Sequence, residues 1–458
     1  MSFKESPRTR KRIRQSTLGL SPQGQPKLRK ISVAPDDNDR GAWDHRKGLI
    51  TFIPHAWKPD AIRAKYGEDA PIKVAAFDLD STLITTKTRA KFPKTPHDWK
   101  FVFQGVANKL NALSDEGYLL VLFTNQAGVG NGRITDLFVK TRIAAIMADV
   151  RADMGAFVAT GKDNYRKPGT GMWEEFAQSI GGLQLIDPTN SFYVGDAAGR
   201  PARPGGDKDF SDSDLRFSIN IGLPFRTPEE YFANKKSEAV SASNLKGFDP
   251  RTIVQTASDV TLLDGTTDVE ALLTKSLTPP DVAKDLIMGG AAPDERPAAQ
   301  TMVLMHGMPA SGKTSFVRRH LLSRGYIWIN QDTMQTFARC ARATREALAS
   351  GYSVVIDNTN PNKKARGRYI EIGKGCNQGL RILALCMKTP KDLAQHLNIV
   401  RERESKGGVQ HIPVVAYHMF LKRASPPELE EGIDRIADIK FLPCFSSERE
   451  QYIFTRLT

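Results

Sequence analysis

Short apolar runs alternate with longer stretches of helical spacing through most of this chain. Residues 72–77, 118–123 and 191–194 are rich in Val, Leu, Phe or Tyr, and each run ends abruptly in polar or small residues. That pattern predicts buried parallel strands whose C-terminal ends carry functional groups. Residues 136–151 and 171–179 between them read as helices, so residues 43–233 are expected to form one α/β domain. A second rhythm of the same kind begins at 301–306 and continues through 326–329, 353–356 and 380–387, predicting another α/β domain over 301–458. Between them, residues 234–300 read as a linker and interdomain segment, with a Ser-rich polar stretch at 235–244 and a Gly-Gly-Ala-Ala-Pro loop signal from Gly289. Residues 1–42 hold too few large apolar side chains to offset the entropy of ordering, so a disordered basic tail is expected there.

At 458 residues the chain exceeds what one hydrophobic core usually supports, which agrees with two domains. Its net charge of +14 favours a polyanionic partner, because Lys and Arg gain free energy by releasing counterions from phosphate backbones. Four cysteines, Cys340, Cys376, Cys386 and Cys444, show neither Cys-x-x-Cys spacing nor a neighbouring zinc-like His pattern. A reducing compartment is the simplest inference, and no run approaches the roughly 18 apolar residues of a membrane span. The cluster Arg8-Thr9-Arg10-Lys11-Arg12-Ile13-Arg14 suits nuclear import or nucleic-acid attraction, and nuclear localisation is expected from it.

Asp78 and Asp80 follow the run 72–77, where a turn would project both into the crevice at the C-terminal edge of an open α/β sheet. Two ionised carboxylates one residue apart repel unless a cation intervenes or one is protonated, so a metal site and a general acid are both candidates. Further along, Thr124 follows the run 118–123, Lys167 precedes Pro168, and Asp196 follows Val194-Gly195. Asp214 is a candidate supporting residue, with helix capping as the alternative.

The second candidate centre is Gly307-x-x-x-x-Gly312-Lys313-Thr314, placed between an apolar strand and a helix-compatible stretch at 315–322. That context suits a phosphate-binding loop: backbone N–H groups wrap the phosphates, Lys313 reaches the β and γ oxygens, and the Thr314 hydroxyl ligates magnesium, with Ser315 adjoining. Asp332 is a candidate base for a nucleophilic hydroxyl, and Asp357 stands where a second acidic residue supports the metal. Arg401 and Arg403, in a helical stretch at 391–404, are candidates for a lid over the triphosphate.

The Asp-x-Asp-x-Thr element at 78–82, with Thr124, Lys167 and Asp196 in order, resembles the haloacid dehalogenase phosphatases. Together with Gly195-Asp196-Ala197-Ala198-Gly199-Arg200-Pro201, the run 222–230, the 307–314 loop and Asp357-Asn358-Thr359-Asn360-Pro361, the chain closely resembles the polynucleotide kinase 3′-phosphatases over about 43–458. The resemblance implies two doubly wound parallel sheets, a haloacid dehalogenase-like phosphatase followed by a P-loop kinase. By the same resemblance Asp78 is the nucleophile and Asp80 the acid and base. Thr124 and Lys167 hold phosphoryl oxygens, and Asp78, Asp80 and Asp196 hold Mg2+. In the kinase, ATP and Mg2+ engage Gly307, Gly312, Lys313, Thr314, Ser315, Asp357 and Arg403, Asp332 is the base, Arg401 a lid arginine, and Arg366 or Arg368 contacts the substrate. The implied substrates are DNA strand-break ends with 3′-phosphate or 5′-hydroxyl, with RNA ends as the alternative. The implied partners are repair scaffold or ligase proteins, and the chain is expected to be a monomer. The N-terminal 42 residues cannot form the forkhead-associated β-sandwich that some relatives carry.

Overall fold

The computed structural model describes residues 40–67, 71–202, 207–235, 240, 245, 247–254, 300–404, 408–443, 445 and 447–458. The Arg8–Arg14 cluster and residues 255–299 of the expected linker lie outside the described residues. Residues 41 and 42, assigned to the tail from composition, instead open the first strand. They pair across to Pro54 and Ile53, which supplies the ordering that local composition lacks.

The first unit is a seven-stranded sheet built from β1 (Gly41–Arg46), β2 (Leu49–Pro54), β3 (Val74–Phe77), β6 (Leu119–Asn125), β7 (Met154–Ala159), β8 (Phe192–Val194) and β9 (Phe225–Arg226). Between β3 and β6 the chain forms a separate antiparallel two-stranded ribbon, β4 (Ile84–Thr85) and β5 (Lys100–Phe101). The sheet order is β1-β2-β7-β6-β3-β8-β9. From β7 to β9 every pairing is parallel, whereas β1 and β2 form an antiparallel hairpin against β7. The expected parallel sheet is present, and at one edge an antiparallel hairpin pairs with the outer flank of β7.

β3 is apolar on both sides because the sheet is covered on both. Ala75 and Phe77 join Leu120, Leu122, Val139 and Ile143 in one core cluster, while Val74 and Ala76 join Leu119, Val121, Phe176 and Phe217 in the other. Helices Val106–Asp115 and Asp136–Asp149 cover the first face, and Gly171–Ser179 and Ser213–Ile221 the second. Complete burial of each large side chain contributes ~1.5–3 kcal/mol, so these two clusters dominate the unit's stability.

The second unit is a five-stranded, wholly parallel sheet of β10 (Thr301–His306), β11 (Ile327–Ile329), β12 (Val354–Ile356), β13 (Arg381–Met387) and β14 (Arg435–Ile439), in the order β11-β12-β10-β13-β14. Met302 and Leu304 face one cluster with Ile356 and Ile382; Val303 and Met305 face the other with Val355 and Leu383. The central strands β3 and β10 each carry a candidate phosphoryl-handling turn at the C-terminal end.

The units touch through the helix Glu448–Phe454 and the residues after it. This helix packs on Lys391–Glu404 of the second unit, and Leu457 exchanges hydrogen bonds with Asn220 of the first. Among the described residues no helix is long and apolar enough to cross a membrane.

Candidate active sites

In the first unit the turn after β3 carries Asp78, the turn after β8 carries Asp196, and the first turn of the helix Ser213–Ile221 carries Asp214. Carboxylate oxygens of all three lie within 4.8 Å of one another. Gly195 permits this approach, since a Cβ there would sit 2.6 Å from Asp214 Cβ. Lys167 enters from the side: its Nζ is 2.6 Å from Asp78 Oδ1 and 2.7 Å from Asp214 Oδ1, and it also donates to the carbonyl of Phe123. Tyr193 donates its hydroxyl to Asp214 Oδ1 at 2.9 Å and accepts from Lys167.

Three carboxylates around one ammonium leave excess negative charge in a buried place. Burial raises Asp78 to about 7, against the pull of Lys167 and with help from Asp214 and Asp80. Burial likewise raises Asp196 well above the ordinary range, with Asp78 and Asp214 adding repulsion. For Lys167, burial works against the charge, but Asp214 and Asp78 outweigh it and the net shift is upward. Such a donor set of hard oxygens fits a divalent cation such as magnesium.

Asp80 stands apart from this cluster. Its Oδ1 accepts from Arg142 at 2.8 Å and its Oδ2 from Gln126 at 2.7 Å. Asp80 was expected among the metal residues with Asp78 and Asp196; its carboxylate lies in this clamp, and Asp214 joins Asp78 and Asp196 in the carboxylate group. Thr124 is buried at the end of β6, where its Oγ1 accepts from the same Gln126 amide at 3.0 Å. Asn125 accepts the Lys167 N–H at 2.9 Å and donates to the Lys167 carbonyl at 3.2 Å, which fixes that residue's backbone.

The first unit also carries two exposed aromatic rings, Phe92 and Phe210, at 69% and 90% exposure. The Lys91 ammonium lies 5.8 Å from one ring centroid and 5.6 Å from the other. Phe92 belongs to the segment that leaves the Asp80 turn, and Phe210 to the segment that follows Asp196.

In the second unit Gly307 and Gly312 bracket the loop after β10. Gly312 has φ 92°, a left-handed conformation that a side chain would strain. Lys313 is buried and folded back, donating to the carbonyls of Gly307 at 3.0 Å and Met308 at 2.7 Å. Burial lowers its ammonium to about 8, opposed by Asp357 and Asp332 and reinforced by Arg401. Thr314 donates to Asp357 Oδ2 at 2.7 Å, as does Trp328 at 3.0 Å, while Asp357 Oδ1 is buried with no hydrogen-bond partner. An orphaned carboxylate oxygen beside a threonine hydroxyl suits a cation. Asp332 is exposed in the short helix Gln331–Met334, and Ser315 is exposed in the first turn after the loop.

The structure separates the four arginines. Arg401 bonds to Asn398 on its own helix and acts electrostatically on Lys313, so it belongs to the loop side. Arg403 turns elsewhere: burial lowers it to about 10 against the opposing pull of Glu402 and of Glu174, a residue of the first unit. Its charge is felt by Glu402 on its own helix and by an acidic residue of the first unit. Arg366, one of the two candidates for the substrate contact, is completely buried, ion-paired with Glu431 and donating to the carbonyls of Ser425 and Pro426. Arg368 is exposed, with its guanidinium 3.3 Å from the Phe337 ring centroid.

Residues 73–232 match the family model described as polynucleotide kinase 3 phosphatase, and residues 302–340 match an AAA domain. A bifunctional polynucleotide phosphatase/kinase of Schizosaccharomyces pombe is 32% identical over 379 residues, which cover 82% of this chain and 82% of that one. A protein of Acanthamoeba polyphaga mimivirus named for the same two activities is 33% identical over 395 residues, 81% of this chain and 85% of that one. The chain belongs to the bifunctional polynucleotide phosphatase/kinase family. Within this family member, Arg142, Gln126 and Asn125 escaped sequence reasoning because their importance lies in what they touch. Asn125 and Gln126 directly follow Thr124, which was the only available signal. Arg142 is buried in the middle of an ordinary helical pattern, and Phe92 and Phe210 stand in segments without periodicity.

Proposed function

We propose that this enzyme removes 3′-phosphates from, and adds 5′-phosphates to, the ends of broken DNA, preparing them for ligation. The observation that carries the reading is the pairing of a buried Asp78–Asp196–Asp214 cluster beside Lys167 with a phosphate loop whose Thr314 meets Asp357. In the first unit Asp78 attacks the phosphorus of the 3′-phosphate, forming an aspartyl-phosphate, while Asp80 gives a proton to the departing 3′-oxygen. Asp80 then takes a proton from the water that hydrolyses the acyl phosphate, returning both residues to their starting state. Arg142 and Gln126 hold Asp80 for these transfers, and Lys167 and Thr124 stabilise phosphoryl oxygens as charge shifts among them.

A divalent cation held by Asp78, Asp196 and Asp214, and another held by Thr314 and Asp357, would supply charge neutralisation at the two centres. In the second unit Lys313 and the backbone of 307–314 hold the ATP phosphates, and Asp332 takes the proton of the 5′-hydroxyl as it attacks the γ-phosphorus. Arg401 neutralises the departing ADP oxygens. Phe92 and Phe210 offer stacking faces to unpaired bases near the 3′-end, with Lys91 between them for the backbone. The net charge of +14 favours a polynucleotide over a small metabolite. Nuclear localisation and a monomeric state complete the proposal.

An end-labelled nicked duplex bearing 3′-phosphate and 5′-hydroxyl tests this reading. Asp78→Asn is expected to abolish 3′-phosphate release and spare ATP-dependent 5′-phosphorylation, and Lys313→Ala the reverse. Loss of both activities in either folded variant would reject separate sites. Faster turnover on the matched RNA end would move the substrate to RNA.

A further inference from the structure

We propose that Asn220 is a positioning residue for Lys167, and that the kinase unit holds it in place through residues 454–458. The inference rests on the phosphatase reading above. Asn220 is buried on the helix Ser213–Ile221, six residues after Asp214. Its Nδ2 donates to the carbonyl of Pro168 at 2.8 Å, one residue beyond Lys167. The same amide donates to the Leu457 carbonyl at 2.9 Å, and its Oδ1 accepts the Leu457 N–H at 2.8 Å. Of these three bonds, one goes to the catalytic loop and two to the other unit.

The path continues into the kinase. His396, on the helix Lys391–Glu404 that carries Arg401, is buried, and its Nε2 is 2.7 Å from the Phe454 carbonyl. A carbonyl only accepts, so Nε2 donates; Nδ1 is then the acceptor for the Thr458 hydroxyl at 3.3 Å. Arg216, one turn before Asn220, donates to the Thr458 carbonyl at 3.1 Å. Lys167 is thus secured on one side by Asn125 from within its own sheet, and its neighbour Pro168 on the other by an amide that the kinase unit orients. A lysine that must meet two carboxylates and a phosphoryl oxygen tolerates little displacement, since positional errors near 1 Å are expensive in rate.

Full-length parent, Asn220→Ala, a deletion of residues 457–458, and the two changes combined would be compared on a 3′-phosphorylated oligonucleotide and in the 5′-kinase assay. Both single changes are expected to lower phosphatase kcat about tenfold, with KM and kinase kcat within about twofold, as fits loss of one or two buried hydrogen bonds. The combined variant is expected to be no slower than Asn220→Ala, because the deletion acts through that side chain. Amide exchange of a peptide spanning 164–172 is expected to quicken in each folded variant, whatever the activity. Unchanged phosphatase kcat in a folded deletion variant, equal losses in both activities, or additive losses would overturn the proposal. If either single variant fails to fold by circular dichroism, the other decides. A parent chain that releases no 3′-phosphate would end the functional reading instead, whereas an active parent with equally active variants ends only this inference.

Discussion

Arg366 and Glu431 form a fully buried ion pair, with side-chain exposures of 0% and 2%, tying the helix Lys363–Cys376 to the turn before β14. Burial disfavours the Glu431 charge, but Arg366 outweighs it and the carboxyl is held below its ordinary range. The arginine also donates to two carbonyls of residues 425 and 426, so its donors are committed to the fold. Arg366→Ala is expected to destabilise the kinase unit by ~3–5 kcal/mol, because it leaves a buried carboxylate unpaired. Denaturant unfolding checks this. At a temperature where the variant is folded, its KM for the oligonucleotide should match the parent's, which a substrate-binding arginine would not allow.

Arg401 and Arg403 lie two residues apart on one helix and face different neighbours. Arg401→Ala is expected to lower kinase kcat about a hundredfold, through loss of transition-state charge stabilisation. Arg403→Ala should leave kinase kcat within about threefold and lower the melting temperature, since its charge is set against Glu402 and Glu174. Steady-state kinetics beside thermal melts separate the two outcomes.

Phe92 and Phe210 are too exposed to support a core, so truncating them should leave stability nearly unchanged. Each Phe→Ala change is expected to weaken binding of a single-stranded 3′-phosphorylated oligonucleotide by ~1–3 kcal/mol, the usual worth of one base–aromatic stack. Hydrolysis of a small aryl phosphate should not change. Fluorescence-anisotropy titration, with parallel turnover of both substrates, measures the difference.

His396 makes stability depend on pH in one window. Burial lowers its imidazole from 6.5 to about 4, with Arg403 adding to the shift and the Phe454 carbonyl and Asp249 opposing it. The unfolded chain therefore binds a proton that the folded chain refuses, so this contribution is complete above about 6.5 and is lost as pH falls towards about 4. The loss reaches ~3 kcal/mol at most. His396→Gln is expected to flatten the pH dependence of urea midpoints across that range. An unchanged slope would assign the titration to other groups.

The central strands and their catalytic turns were legible because a strand buried on both faces reads as an unbroken apolar run. Asp78, Asp196 and the 307–314 loop each follow such a run. The β1–β2 hairpin was less legible: Leu49–Pro54 is apolar, but its partner Gly41–Arg46 is mostly charged and polar, as an edge strand facing water should be. Arg366, Arg403 and Asp80 show the other limit. Their side chains could be placed in the right neighbourhood by spacing, yet which way each one turns depends on Glu431, Glu174 and Arg142, which are far away in sequence. Asn220 had no signal at all, since an asparagine within a helix is usually a surface residue.

The placement of β3 and β10 in the interior of their sheets, each bonded to neighbours on both sides, has a consequence for how this enzyme fails. Warming or mild denaturant opens peripheral segments before central strands. The exposed aromatic rings and the helix that carries Arg401 are peripheral, whereas Asp78 and Lys313 sit on the most firmly held backbone. A partly opened molecule would therefore keep its reactive groups in register while losing the surfaces that choose a substrate. Discrimination between polynucleotide ends and other phosphoesters should decay before chemistry does.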